Sequence, residues 1–313
     1  MGFDSINKVE SAQKILDIAL KRISKVVFKK QRGDELSKAK KKELVRFDVV
    51  NQNVHASLFR VIRDFPALDN LTEFYSELLK ASLDYDKLKQ SLGAVNWADK
   101  QARSLVIKYK KKSLAANTQE QLPRLRREYL GRLASVLKQV DKNLSYLEES
   151  RKILKGFPVI KSMFTVCIAG FPNVGKSTLL GKITTSKPKI KDYAFTTKTL
   201  NLGYIKEDDV QVQVIDTPGT LARPDRMNNI EKQAYLAIKY QADLVVFVFD
   251  PTDTYSISMQ EQLLEIVKKY RKPIIFYVSK TDIADKEKSE RLVLNYDAFT
   301  DPAILKKEIS SKA

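Results

Sequence analysis

Residues 170–177 read Gly-Phe-Pro-Asn-Val-Gly-Lys-Ser, the pattern G-x-x-x-x-G-K-[ST]. Gly170 and Gly175 let the backbone wrap closely around Phe171, Pro172, Asn173 and Val174. Successive N–H groups and a following helix N-terminus can then cradle phosphate oxygens. Lys176 is expected to reach the β- and γ-phosphates, Ser177 to ligate Mg²⁺ through its hydroxyl, and Thr178 to follow as a further nucleotide contact. Some forty residues on, Asp216-Thr-Pro-Gly219 offers a carboxylate to hold Mg²⁺ through a water and a Gly219 N–H to donate to the γ-phosphate. Ser279-Lys280-Thr281-Asp282 resembles the N-K-x-D pattern. The Asp282 carboxylate can accept two hydrogen bonds from guanine N1 and N2, a donor pair adenine lacks, and Lys280 would lay its stem over the base. The expected cofactors are therefore GTP or GDP with Mg²⁺, and Asp282 disfavours an adenine-specific ATPase or kinase. Ser279 stands where the pattern has Asn, which removes an amide that braces the phosphate loop and is expected to weaken guanine affinity. Between these motifs lies Tyr193-Ala-Phe-Thr-Thr197, where a threonine hydroxyl can ligate Mg²⁺ and order its loop with triphosphate bound.

The elements that must position these residues differ between two halves of the 313-residue chain. From Ser5 to about Leu154, apolar residues recur at three- and four-residue spacing, as in Ile15, Ile18, Ala19 and Ile23. Similar stripes cover 44–62, 71–88, 95–115 and 122–147, with joints expected at Asp64–Pro66, Ser91–Gly93 and Asn117–Thr118. Short joints between long helices predict an antiparallel bundle over residues 1–157. The second half, 158–313, turns to strand-like runs at 164–169, 210–215, 244–249 and 274–278, alternating with helical segments at 176–186, 227–241 and 256–271. That alternation predicts an α/β domain with a mostly parallel sheet and helices on both faces. The phosphate loop then follows a strand and opens a helix, as its chemistry requires.

Composition narrows the classes further. One cysteine, Cys167, forms no internal disulfide and is read as a buried strand residue; one histidine, His55, is read as an ordinary helix residue. No apolar run approaches the ~20 residues of a membrane span, and the N-terminus lacks a secretory core, so a cytoplasmic protein is expected. The net charge is +18, and residues 1–160 carry +14 of it, from 33 Lys and Arg against 19 Asp and Glu. The basic half is thus the expected contact for a polyanion, read through phosphates without DNA sequence recognition. Solvated helix faces and an acidic membrane surface are the competing explanations for those lysines.

The run Gly170–Thr178, the Tyr193–Lys198 segment with Leu202–Gly203, and Asp216–Gly219 are similar to those of an Obg-related GTPase, in particular the nucleolar GTP-binding (Nog-type) branch. Leu130-Gly-Arg-Leu-Ala-Ser, Leu144-Ser-Tyr-Leu-Glu-Glu, Ile230-Glu-Lys-Gln-Ala and Gln260-Glu-Gln-Leu extend the resemblance on either side. It implies a short form with a helical domain before the P-loop GTPase domain, and a role in large ribosomal subunit assembly through ribosomal RNA or a precursor particle. It also implies Thr197 rather than Thr196 as the Mg²⁺ ligand, and Asn173 is the residue type that accompanies K⁺-assisted turnover in related GTPases. The chain departs from the pattern at Thr220, where many GTPases place a water-orienting Gln. It departs again at 295–300, which lacks the Ser-Ala-type guanine loop. Catalysis is accordingly expected to rest on Lys176, Thr197 and the Gly219 N–H, to be slow, and to name no general base. A nucleotide-gated RNA-binding scaffold with little or no hydrolysis is the alternative.

Overall fold

The computed structural model describes residues 3–28, 33–185, 189–190, 201–207, 210–217, 229–252 and 254–313. They fall into two compact units, one formed by Phe3–Asn70 with Leu83–Lys155, the other by Leu71–Ser82 with Gly156–Ala313.

The first unit is built from α1 (Ala12–Ile23), α2 (Glu35–Asp64), and, beyond α3 (Glu73–Ser82) of the other unit, α4 (Tyr85–Leu114), α5 (Gln121–Gln139) and α6 (Asp141–Lys155). The apolar stripes meet as the periodicity requires, burying Ile15, Phe47, Leu58, Val95, Tyr129 and Leu144. Two joints differ from the expected ones. Ser91–Gly93 lies inside α4, where a Cβ on Gly93 would meet nothing within 4 Å. A helical glycine there costs only about 1 kcal/mol of propensity. The break falls instead at Leu83–Asp84, because the Asp84 carboxylate accepts the Lys87 N–H at 3.0 Å and caps α4. The stripe over 122–147 is likewise interrupted at Val140, after which α6 starts on Asp141. His55 does sit in α2, but its Nδ1 lies 2.7 Å from Oδ1 of the buried Asp99 in α4, whose other oxygen accepts from Arg103. It pins two helices together.

The second unit contains β1 (Thr165–Ala169), α7 (Lys176–Ile183), β2 (Lys189–Ile190), β3 (Asn201–Glu207), β4 (Val210–Asp216), α8 (Asn229–Gln241), β5 (Leu244–Phe249), α9 (Ile257–Lys268), β6 (Ile274–Val278), α10 (Lys286–Tyr296) and α11 (Pro302–Ser311). The sheet order is β2-β3-β4-β1-β5-β6. The β4-β1-β5-β6 core is parallel, whereas β2 and β3 add an antiparallel edge. Every residue of β1 and β5 is buried, as expected of strands covered on both faces. Cys167 is among them, and burial pushes its thiol pKa up.

β3, α10 and α11 escape the periodicity reading. β3 carries Gly203 because a Cβ there would come within 2.4 Å of Thr184 Cγ2, at the end of α7. α3 buries Phe74, Tyr75, Leu78 and Leu79 and packs against α8. Its Tyr75 hydroxyl donates to the Pro158 carbonyl at 2.8 Å and accepts the Ile160 N–H at 3.1 Å, fixing α3 to the segment that leads into β1.

Candidate nucleotide site

β1 delivers the chain to Gly170, whose φ is +148°; a Cβ there would lie 2.8 Å from the Val248 carbonyl oxygen. Asn173 (φ 62°) and Gly175 (φ 94°) complete a left-handed turn that opens α7. Lys176 is buried, and its ammonium donates to the Phe171 carbonyl at 2.6 Å, drawing the loop closed over its own charge. The register pairing Ile168 with Asp216 sets the end of β4 beside the end of β1. Ser177 Oγ accordingly donates to Asp216 Oδ2 at 2.5 Å, and Asn201 Nδ2 donates to the same oxygen at 3.1 Å. Asp216 Oδ1 is buried and has no hydrogen-bond partner among the described residues. A hydroxyl and a carboxylate in contact, with one buried carboxylate oxygen left over, form a hard-oxygen donor set that fits Mg²⁺.

The loop after β6 meets the phosphate loop from the other side. Asn173, Thr178, Lys182, Ser279, Lys280 and Asp282 line one cavity of about 360 Å³. Ser279 Oγ lies 2.7 Å from the Val174 carbonyl and 3.0 Å from that of Phe249. A hydroxyl thus meets the phosphate loop where the pattern has an amide. Gly175, at φ 94°, lies beside it, and a Cβ there would stand 3.5 Å from Ser279 Cβ, at ordinary contact distance. One hydroxyl proton still serves two carbonyls, so the brace is weaker than an amide with two donors.

Lys280, at φ 53°, sends its ammonium to Asp250 Oδ2 at 2.6 Å. Asp250 is fully buried at the end of β5, and its other oxygen accepts from the Thr252 backbone and hydroxyl at 2.9 and 2.6 Å. Gln260 grips the Asp250 backbone at both N–H and carbonyl, at 2.9 and 2.8 Å. Asp250 stands outside every motif, and Gln260 enters the sequence reading only as the first residue of the run Gln260-Glu-Gln-Leu. The available signal was an aspartate ending an apolar strand on the carboxyl edge of the sheet, ahead of Pro251.

The remaining expected residues divide in two. Phe171 and Val174 serve the loop's architecture: Phe171 stacks on Tyr255 with ring centroids 4.4 Å apart, and Val174 is buried. Pro172 is half-buried between them. Thr196, Thr197, Gly219 and Thr220 lie outside the described residues. In the region where a guanine loop was not recognisable, Phe299 bonds alongside β6, and Thr300 shares a second cavity, of about 500 Å³, with Thr281.

The connection after β1 runs through α7 to the β2–β4 side of the sheet, the one after β4 runs through α8 to β5 on the other side of β1, and ligands of open α/β sheets bind in the crevice at such a reversal. With a phosphate loop in that crevice and a Lys-x-Asp loop at its rim, the unit is a nucleotide-binding domain of the P-loop GTPase class. A family model of the NOG1 N-terminal helical domain matches residues 3–161, and one described as a 50S ribosome-binding GTPase matches residues 165–280. The chain belongs to the nucleolar GTP-binding (Nog-type) family of Obg-related GTPases.

An uncharacterized protein of Methanocaldococcus jannaschii is 39% identical over 236 residues, which is 74% of this chain and 66% of that protein. Nucleolar GTP-binding protein 1 of Drosophila melanogaster is 33% identical over 296 residues, or 91% of this chain and 45% of that one. The chain thus spans about two thirds of the first relative and under half of the second. Among solved structures, the G domain of the T. maritima FeoB iron transporter is 26% identical, with a TM-score of 0.39 over 47% of this chain and 96% of that domain. No helix among the described residues is long and apolar enough to cross a membrane.

Proposed function

We propose that this chain is a guanine-nucleotide switch that hydrolyses GTP slowly and acts in large ribosomal subunit assembly, contacting ribosomal RNA through its basic helical half. The observation that carries the reading is the shared cavity of Asn173, Thr178, Lys280 and Asp282, next to the Lys176, Ser177 and Asp216 cluster. Such a site places a base reader and a phosphate cradle within one nucleotide's reach. The names of the relatives, nucleolar GTP-binding proteins, and of the ribosome-binding family model support the cellular role.

Ser177 and Asp216 would hold Mg²⁺, which when bound neutralises phosphate charge. Lys176 leaves the Phe171 carbonyl for the phosphates and stabilises charge on the transferring group; the loop N–H groups bind and orient it. Asp282 selects guanine, and Lys280 covers the base while Asp250 holds its ammonium. Intrinsic turnover on the order of 10⁻⁴–10⁻² s⁻¹ is expected, raised by the particle that the switch serves. Asn173 is proposed to support K⁺ assistance; equal turnover in sodium and potassium buffers would remove that part.

The test is GTP hydrolysis by wild type and Lys176→Ala, with and without purified large ribosomal subunits, in potassium buffer. Stimulation by the subunits that vanishes in the variant is the expected result. Turnover indifferent to the particle would detach the ribosomal role from the nucleotide site.

A further inference from the structure

Four basic clusters that lie far apart in the sequence meet at one end of the helical bundle. α1 ends in Lys21 and Arg22, and the first turns of α2 carry Lys38 and Lys40–Lys42. α4 finishes with Lys108 and Lys110–Lys112, and α5 opens with Arg124, Arg126 and Arg127.

Contacts between these ends establish that they coincide. Lys40 Nζ donates to the Leu114 carbonyl at 2.7 Å, joining the start of α2 to the end of α4. Arg126 donates to Glu43 Oε1 at 2.6 Å, joining the start of α5 to α2. Lys112 lies 3.8 Å from Glu128, joining α4 to α5. α1 packs along α2 and α5, and Phe28, just beyond its last turn, lies under the Arg46 guanidinium of α2, 5.3 Å from ring centroid to Cζ.

Segments 21–28, 33–46 and 108–132 hold 16 Lys and Arg against 5 Asp and Glu, a local excess of 11 in a chain whose net charge is +18. The opposite end is different in kind. There Asp64 pairs with Arg63, Asp69 with Lys89 and Glu148 with Arg151, so charges of both signs are matched. The bundle is therefore electrically polarised along its length.

Solvation alone does not account for this arrangement, since a bundle that needs only solubility gains nothing by collecting like charges from four helices. Lys110 pairs with Asp48, while Arg46 and Arg126 share Glu43. Lys41, Lys42, Lys108, Lys111, Arg124 and Arg127 are exposed and make no ion pair among the described residues.

We propose that this end of the bundle is the docking surface for the sugar–phosphate backbone of a folded RNA. The inference rests on the RNA-binding reading above and narrows it from half of the chain to one face. Lysine clusters of this density recognise phosphate spacing and not base edges, so binding is sequence-tolerant and steeply dependent on salt.

The test compares two full-length variants with wild type. One carries Lys41→Gln, Lys42→Gln, Lys111→Gln and Arg127→Gln; the other carries Lys87→Gln, Lys100→Gln, Lys142→Gln and Lys152→Gln, exposed cations away from that end. Binding of a labelled RNA hairpin is measured across potassium chloride concentrations, with thermal unfolding by circular dichroism to verify that both variants fold. The first variant is expected to lose about tenfold or more in affinity at low salt and about 3–4 in the slope of log K against log salt, while the second stays near wild type. Equal losses in both variants would overturn the assignment to this end and leave RNA binding standing. Wild type that ignores the hairpin but binds phosphatidylserine vesicles would overturn both, with a membrane surface as the partner.

Discussion

Asp250 illustrates how a residue outside every motif governs one inside it. The Lys280 ammonium has its partner in a carboxylate with no solvent exposure, itself fixed by Thr252. Asp250→Ala releases Lys280 from the position proposed to cover the base and leaves the Thr252 donors unmatched. Hydrogen bonds to charged groups are worth about 1.5–3 kcal/mol, so GDP affinity is expected to fall on the order of 10- to 100-fold, read by isothermal titration. Ser279→Ala is expected to act more gently. It removes one donor shared by two carbonyls, costing about 1 kcal/mol in both stability and nucleotide affinity. The local motif was legible in the sequence because four consecutive residues carry it. Its support was not, since Asp250 stands 30 residues upstream and its partnership exists only through strand pairing.

At the scale of elements, the second unit depends on close approach between α7 and β3. Gly203→Ala would push a methyl into Thr184, and overpacking of this kind costs about 1–3 kcal/mol. The additional change Thr184→Ser removes the Cγ2 that is met first and is expected to restore part of the lost melting temperature. An unchanged melting temperature in Gly203→Ala alone would mean that β3 yields without cost. In the first unit, Glu148 of α6 takes a bidentate pair from Arg151, at 2.7 and 2.8 Å, and the Val9 N–H at 2.9 Å. Burial by itself would raise this carboxyl, but the donors outweigh it and hold its pKa below the ordinary range. A depressed folded-state pKa contributes stability that is present above the unfolded value of about 4.3 and lost as pH falls through the folded one. Glu148→Gln should therefore be less stable than wild type at neutral pH, with the difference shrinking below about pH 4 in urea titrations.

At the scale of the whole molecule, the boundary between the halves is not a single point in the sequence. α3 lies between two helices of the first unit yet is part of the second, where Phe74, Tyr75, Leu78 and Leu79 are buried. Each such side chain is worth about 1.5–3 kcal/mol when removed from water. A fragment of 156–313 lacks all four and uncovers the surface of α8 that they protect. It is expected to melt well below the full chain and to bind an apolar dye, whereas a fragment that simply behaved like the intact unit would refute the role given to α3.

Whatever nearest neighbours along the chain decide is legible before folding. The phosphate loop, the Asp216 and Asp282 motifs, the helical first half and the alternating second half are all of this kind. Backbone geometry and side-chain period are local properties, and a cradle of consecutive N–H groups needs no distant residue to be recognised. Tertiary structure alone decided which surface covers an apolar stripe, because hydrophobic burial is non-directional and the stripe of α3 reads the same against either unit. It decided the pairing of Asp250 with Lys280 and the need for Gly203 at the α7 crossing. It also decided that basic clusters dispersed over more than a hundred residues act at one place, since electrostatic potential sums over distance in space and not along the chain.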